Sequence, residues 1–242
     1  MFFGRHLVGA ERLRWLIGEV LVVIIGVLVA LGIDQAWSDR VDRQLELEYL
    51  KSIRGAVQAD MSHITNIRQE SLIRKMEAID AIGPVVRGFA PVPENFELFL
   101  SNVGMAASGG ISPKYAISRG AFEELTSTGN IRLITDPDIR KAIVVYYITL
   151  GFENQRITAR LTGYPEFVLG ILPAELREDQ DLAAIKSFNV DRAIAAIMSD
   201  RFETLLNREH NLALFMKSRH ARMLSDAATF LDELDAHIEQ LE

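Results

Sequence analysis

The sequence predicts an all-α fold in which an N-terminal transmembrane helix continues into an elongated antiparallel helical bundle. Three observations carry this. From Trp15 to Trp37 the chain reads WLIGEVLVVIIGVLVALGIDQAW, with Glu19 the only ionisable residue between Leu16 and Ile33. After Trp37, and again over Asp200 to Leu241, apolar residues recur at steps of three and four, the period of a helix with one buried stripe. Between these stretches lie short helical patterns separated by Pro/Gly-rich breaks, and no segment reads convincingly as a strand. At 242 residues, 49% apolar and 24% charged, the composition is that of a globular domain plus one span.

Residues 1–14 form a short amphipathic lead, with Phe2, Phe3, Leu7 and Val8 apolar and Arg5, Arg12 and Arg14 available to phosphate headgroups. Residues 15–36 are the anchor. A run of about 18–20 apolar residues crosses a hydrocarbon core of ~30 Å at ~1.5 Å per residue. Trp15 and Trp37 stand at its ends, roughly 33 Å apart along a helix, as amphipathic indoles do at the two headgroup levels. Gly26 and Ala30 make a small-xxx-small pair that would let a second helix approach closely, the alternative being lipid-facing filler. Glu19 lies one turn inside the Trp15 end, where a carboxylate can snorkel or pair with Arg12 or Arg14. The rival roles for it are an ion path or a contact to a partner helix. A cleavable signal peptide ending at Ala30-Leu31-Gly32 is a second rival, but the run is long for one and the helical pattern continues beyond it.

Arg5, Arg12 and Arg14 precede the span, whereas mixed acids and bases from Asp34 to Lys51 follow it, so the basic-residue rule puts the N-terminus in the cytoplasm. Residues 37–242 then form an extracytoplasmic bundle, in the periplasm for a bacterial cytoplasmic (inner) membrane. The absence of cysteine is compatible with either side, because a domain of this size is stable without disulfides.

The segment IGEVLVVIIGVLVALGIDQAWSDRVDRQLELEYL resembles the N-terminal signature of a family of uncharacterised bacterial single-pass membrane proteins. That signature is a GE-(I/V)-LVVIG-(I/L)-L-(I/V)-AL-x-I-(D/N)-x-W pattern followed by a charged helix. Ala121 to Tyr147, AFEELTSTGNIRLITDPDIRKAIVVYY, is similar to the family's second block, E-(E/D)-L-(K/T)-S-(T/S)-G-N leading into a helix that ends in paired tyrosines. Together the two cover about a quarter of the chain. The resemblance implies a membrane-anchored helical protein and brings no assigned catalytic residues. Gln35-Ala36 stands where many relatives have Asn before the tryptophan.

Beyond Trp37, Leu50, Ile53, Val57, Met61, Ile64 and Ile67 form a stripe that Leu72, Met76, Ile79 and Ile82 extend to Pro84, where the helix is expected to stop. Unbroken from Trp37 to Ile82, it would be ~69 Å long. Such a helix cannot bury its stripe alone, so either later helices return along it or copies of the chain pair through it. Residues 83–93 read as a loop, Glu94 to Gly104 as a short helix with Phe96, Phe99, Leu100 and Val103 inward, and 108–115, SGGISPKY, as a second connection. Ser118 starts a helix ending at Gly129, placed as a left-handed cap with Ser127 or Thr128 bonding backbone. Thr135-Asp136-Pro137-Asp138 is a strong helix start, with a capping side chain, proline in the first turn and an acid at the positive dipole end. That helix is read through Ile139, Ile143, Tyr146, Leu150, Ile157 and Leu161, to about Gly163. Pro165 and Pro173 punctuate the next stretch. A helix from Val190 to Met198 precedes the last one, Asp200 to Leu241, whose stripe packs along the first long helix.

The chemical search is largely negative. Without cysteine there is no thiolate nucleophile or Cys zinc site, and no G-x-S-x-G or H-E-x-x-H occurs. The SGG of 108–110 lacks the lysine of a phosphate loop. Asp60-x-x-His63 is a weak analogue of a di-metal half-site. His210 and His220 lie near the last stripe, ~15 Å apart, too far to share one ion unaided, and read as core-edge histidines. His237 with Glu233 reads as a surface pair. Glu123 to Asn130, followed by Arg132, offers hydroxyls and an amide at a helix end, and Tyr146-Tyr147 reads as one ring inward and one at a rim. With 33 acids against 26 bases and no basic block, nucleic acid is not an expected partner.

The reading is therefore a non-enzymatic membrane-anchored module for protein interaction or self-assembly, with no cofactor. Its partners are the lipid bilayer and either a second copy or another membrane protein. The alternative is an extracytoplasmic ligand-sensing bundle reporting through a partner protein, since only the short lead remains inside.

Overall fold

The computed structural model describes residues 7–107, 118–172 and 189–242. The connection 108–115, Pro173 and the side chains of 1–14 lie outside the described residues. Helix α1 runs from Leu7 to His63, passes without a break through a π-helical turn, Ile64–Gln69, and continues as α2, Glu70–Val86. Then follow α3 (Phe96–Ala107), α4 (Gly120–Ser127), a 3-10 turn (Asn130–Leu133), α5 (Pro137–Thr158), α6 (Tyr164–Ile171), α7 (Val190–Ile197) and α8 (Asp200–Leu241). Among the described residues there is no strand.

The order of events along the long N-terminal helix fixes the architecture. From Gly18 to Gln44 every described residue is exposed, and burial begins with Leu45 and Glu46. From there α8 returns antiparallel along α1 and α2, covering the stripe by intramolecular packing. Two apolar clusters result. One holds Leu50, Ile53 and Val57 of α1 with Leu125, Ile143, Tyr147, Phe230 and Leu234. The other, farther from the apolar end, joins Leu72, Ile79 and Ile82 of α2 to α3, α6, α7 and the first half of α8. The π-helical turn lies at their junction: Ile64 belongs to the first cluster and Leu72 to the second.

Several local expectations hold with their chemistry. Asp136 caps α5 by accepting from the backbone N–H groups of Asp138 (2.7 Å) and Ile139 (3.2 Å). Gly129 adopts φ 75°, the left-handed conformation that ends the preceding helix, and Thr128 Oγ1 donates to the Glu124 carbonyl at 2.7 Å. Helix α8 starts at Asp200 as expected, and Ser199, not singled out in the sequence, caps it by accepting from the Phe202 N–H.

Others need correction. Helix α2 does not stop at Pro84 but runs through it to Val86. The proline ring sits in the last turn, costing one ladder bond, while its carbonyl accepts from Phe89 and Ala90 and the left-handed Gly88 ends the helix. Ile67 is outside the stripe, 49% exposed, and Arg68 is buried in its place, because the π-helical turn rotates the register by one residue. Helix α5 ends at Thr158, leaving Leu161 exposed. Tyr146 and Tyr147 are both buried, one stacked on Phe230 and the other on Phe122, rather than one at a rim. His237 is not a surface partner of Glu233: it is buried between Glu46 and Asp136.

Candidate functional site

The residues expected to form the anchor come first. Trp15 and Trp37 are each 70% exposed, and between them the apolar side chains from Val20 to Ile33 face outward on all sides of the helix. Gly26 and Ala30, one turn apart, are likewise exposed, and a Cβ at Gly26 would meet nothing within 4 Å. Glu19 is exposed on the same segment. Among the described residues one helix is thus long and apolar enough to cross a membrane, with none of that window covered by the rest of the protein.

Where the bundle begins, Glu46 of α1 is almost fully buried and accepts from the Thr135 backbone N–H at 2.7 Å and its hydroxyl at 3.0 Å. His237 of α8 lies 3.9 Å from Glu46 and, through its other nitrogen, 3.8 Å from Asp136. The C-terminus closes on the same level, with Lys51 paired to Glu242 at 2.7 Å. Hydrogen bonds from Ile139 and Asp138 hold the Asp136 carboxyl below the usual range, so it is an anionic cap rather than a proton donor. These contacts tie the start of α5 and the end of α8 to α1.

At the far end, Lys75 of α2 and Glu209 of α8 form an ion pair, each only 1% exposed. The ammonium also donates to the Ala106 carbonyl at 2.6 Å, at the C-terminus of α3 where the helix dipole favours a cation. Glu209 accepts in addition from the Thr162 hydroxyl, and Tyr164 donates to the Val103 carbonyl at 3.2 Å. Burial lowers the Lys75 pKa, opposed by Glu209, and burial raises that of Tyr164 well above its ordinary value. A buried lysine of this kind has the chemistry of a base or an imine-forming amine. Here it is held by Glu209 and the Ala106 carbonyl, and it lines neither described groove.

The junction holds a third set. Asp60 accepts from the Ser118 backbone N–H at 3.0 Å, and burial raises its carboxyl pKa despite Arg68 and His63 nearby. His220 is 1% exposed with neither ring nitrogen hydrogen-bonded, and burial, then the charge of Arg68, lowers it to about 4. It is neutral at pH 7. Glu153 of α5 is held by Arg156 at 3.3 Å and Arg219 at 3.5 Å through one oxygen, while its other carboxylate oxygen is buried without a hydrogen-bond partner. This glutamate lines a groove of about 360 Å³ between α5 and α8.

The sequence-singled residues therefore separate. The anchor set shares one surface, whereas His210, His220 and Asp60-x-x-His63 do not converge, and no group of His, Asp or Glu among the described residues is arranged to hold a metal ion. Lys75, Glu209 and Glu153 escaped sequence reading because a charged residue beside an apolar stripe reads as the solvated edge. Compared with known proteins, the chain matches no family model, no curated protein and no solved structure.

Proposed function

We propose that the protein is a membrane-anchored helical module that acts by binding a protein partner or a second copy of itself, without catalysing a reaction. The observation that carries this reading is the contrast between the two ends of α1. Residues Gly18 to Ile33 expose apolar side chains all round, which water does not tolerate over such a length, while the bundle from Glu46 onward closes its own core. The reading places the anchor in a bacterial cytoplasmic membrane, N-terminus inside and bundle in the periplasm, following the arginines before the span. The ionic groups of the bundle are consistent with architecture rather than turnover, since the Lys75–Glu209 pair is buried and tied to the end of α3.

The test is the mass of the intact particle extracted in mild detergent, by light scattering with the detergent subtracted, together with identification of co-purifying chains. A defined homo-oligomer or a stoichiometric second subunit is expected. A 27 kDa monomer free of partners would overturn the proposal.

A further inference from the structure

A basic groove at the level of the Lys75–Glu209 pair goes beyond that reading and draws on it only for the position of the membrane. It lies where the chain leaves α5 and passes α8, and it encloses about 360 Å³. Arg160 and Thr162 line one side, and Arg208, Asn211 and Phe215 the other. The three α8 residues stand at i, i+3 and i+7, on one face of the helix. None of the lining residues is acidic. The sequence around the groove is equally one-sided, in a chain whose formal net charge is −7. Residues 154–165 hold Arg156 and Arg160 with no Asp or Glu, and residues 210–225 hold Lys217, Arg219 and Arg222 with no Asp or Glu.

The carboxylates that flank these stretches are already engaged. Glu153 holds Arg156 and Arg219, Asp226 pairs with Arg222, and Glu209 is paired with Lys75 while it accepts from the Thr162 hydroxyl. That leaves Arg160 and Arg208, neither of which has a carboxylate partner among the described residues. Arg160 is held in place all the same. Its guanidinium lies 4.2 Å over the Phe215 ring and donates to the Arg156 carbonyl at 3.2 Å. A guanidinium fixed before its ligand arrives gives up little freedom on binding, and its planar fork matches the oxygens of a phosphate or carboxylate. Two such groups without counter-charge suit the double charge of a phosphate monoester better than the single charge of a carboxylate.

We infer that this groove binds a small soluble molecule through a phosphate group, held between Arg160 and Arg208 with the Asn211 amide beside it. The volume suits a ligand of metabolite size. Lipid headgroups offer the same chemistry, but the helix from Trp37 to Lys75 is continuous and ~57 Å long, which sets the groove far from the anchoring bilayer.

The experiment is equilibrium dialysis of 1-naphthyl phosphate against the full chain in phosphatidylcholine nanodiscs, with empty nanodiscs as background. Saturable binding with a Kd below about 1 mM is expected, displaced by inorganic phosphate. Arg160→Gln with Arg208→Gln should weaken it at least about tenfold. Arg40→Gln with Arg132→Gln removes the same charge from exposed positions at the other end of the bundle and should change it less than about twofold. Arg208→Gln alone breaks no hydrogen bond or ion pair and should still weaken binding at least about threefold, which covers the case in which Arg160→Gln disturbs the end of α5. No saturable binding, binding that survives the loss of both groove arginines, or equal weakening by the two charge-matched pairs overturns the inference. Nanodiscs containing phosphatidylglycerol should leave the Kd unchanged, since the groove stands several Debye lengths of ~8 Å from the headgroups. Displacement of the probe by that lipid would make a headgroup the occupant and overturn the soluble ligand. Particle mass is read without the probe, so a monomeric particle that binds it sinks the assembly reading alone.

Discussion

At His220 the imidazole has exchanged water for a packed interior beside Arg68, and the proton is what it gives up. Its pKa falls to about 4 from the 6.5 of an open chain, so between those values the unfolded state binds more protons than the folded one. The stability contributed by the neutral ring is complete above pH 6.5 and is lost as pH falls through 4. Between pH 7 and pH 5 the expected loss is about 2 kcal/mol, read from urea unfolding of the detergent-solubilised chain. His220→Leu should lack this component, and an unchanged difference between the two pH values would refute it. Lys75 poses the opposite charge. Its folded pKa lies below the 10.5 of the unfolded chain, so the protonated amine subtracts stability at neutral pH, and this is recovered as pH rises towards 10.5. Removing only its partner, Glu209→Leu, leaves a buried ammonium with the Ala106 carbonyl and should cost about 3–5 kcal/mol. Lys75→Met combined with Glu209→Leu should cost much less than the single change, and equal losses would show that packing, not charge, dominates there.

The start of α5 was legible because its chemistry is local: Asp136-Pro137 announces it within three residues, and the helix begins there. The π-helical turn was not, because Ile67 supplied an apolar residue where a regular helix wanted one. The signal lay in a different spacing. Asp60, Ile64, Arg68 and Leu72 step by four three times in succession, one residue more than an α-helix needs for three turns. A π turn absorbs one extra residue and keeps the faces on either side aligned. Deleting the exposed Asn66 should therefore restore a regular helix, with α1 and α2 both still in register, at a cost of about 1 kcal/mol. Deleting the equally exposed Lys217, where α8 has no such turn, rotates half its stripe by ~100° and should abolish cooperative unfolding. Similar losses for both deletions would contradict this account of the turn. On α5, Val145, Ile148 and Phe152 look like a second buried face, and only the folded chain shows that they are exposed.

The whole chain divides its apolar residues between two solvents. From Gly18 to Ile33 they point outward, suited to hydrocarbon, and the buried ones from Leu50 to Ile238 pack into the two clusters of the bundle. Residues 38–44 belong to neither, a single exposed helical stretch of about 10 Å between Trp37 and the first buried side chain. Among the described residues no core contact crosses that stretch, so the bundle is expected to fold without the apolar segment. A fragment of residues 38–242 is expected to be soluble without detergent and helical by circular dichroism. It should also reproduce the unfolding midpoint of the full chain's bundle. If instead it aggregates or unfolds non-cooperatively, the anchor supplies structure as well as attachment. The same fragment separates two sources of assembly. If copies join through the span, the fragment should be monomeric and Gly26→Leu in the full chain should dissociate the detergent particle, since the added side chain blocks close helix approach at Gly26 and Ala30. If the fragment keeps the stoichiometry of the full chain, assembly belongs to the bundle.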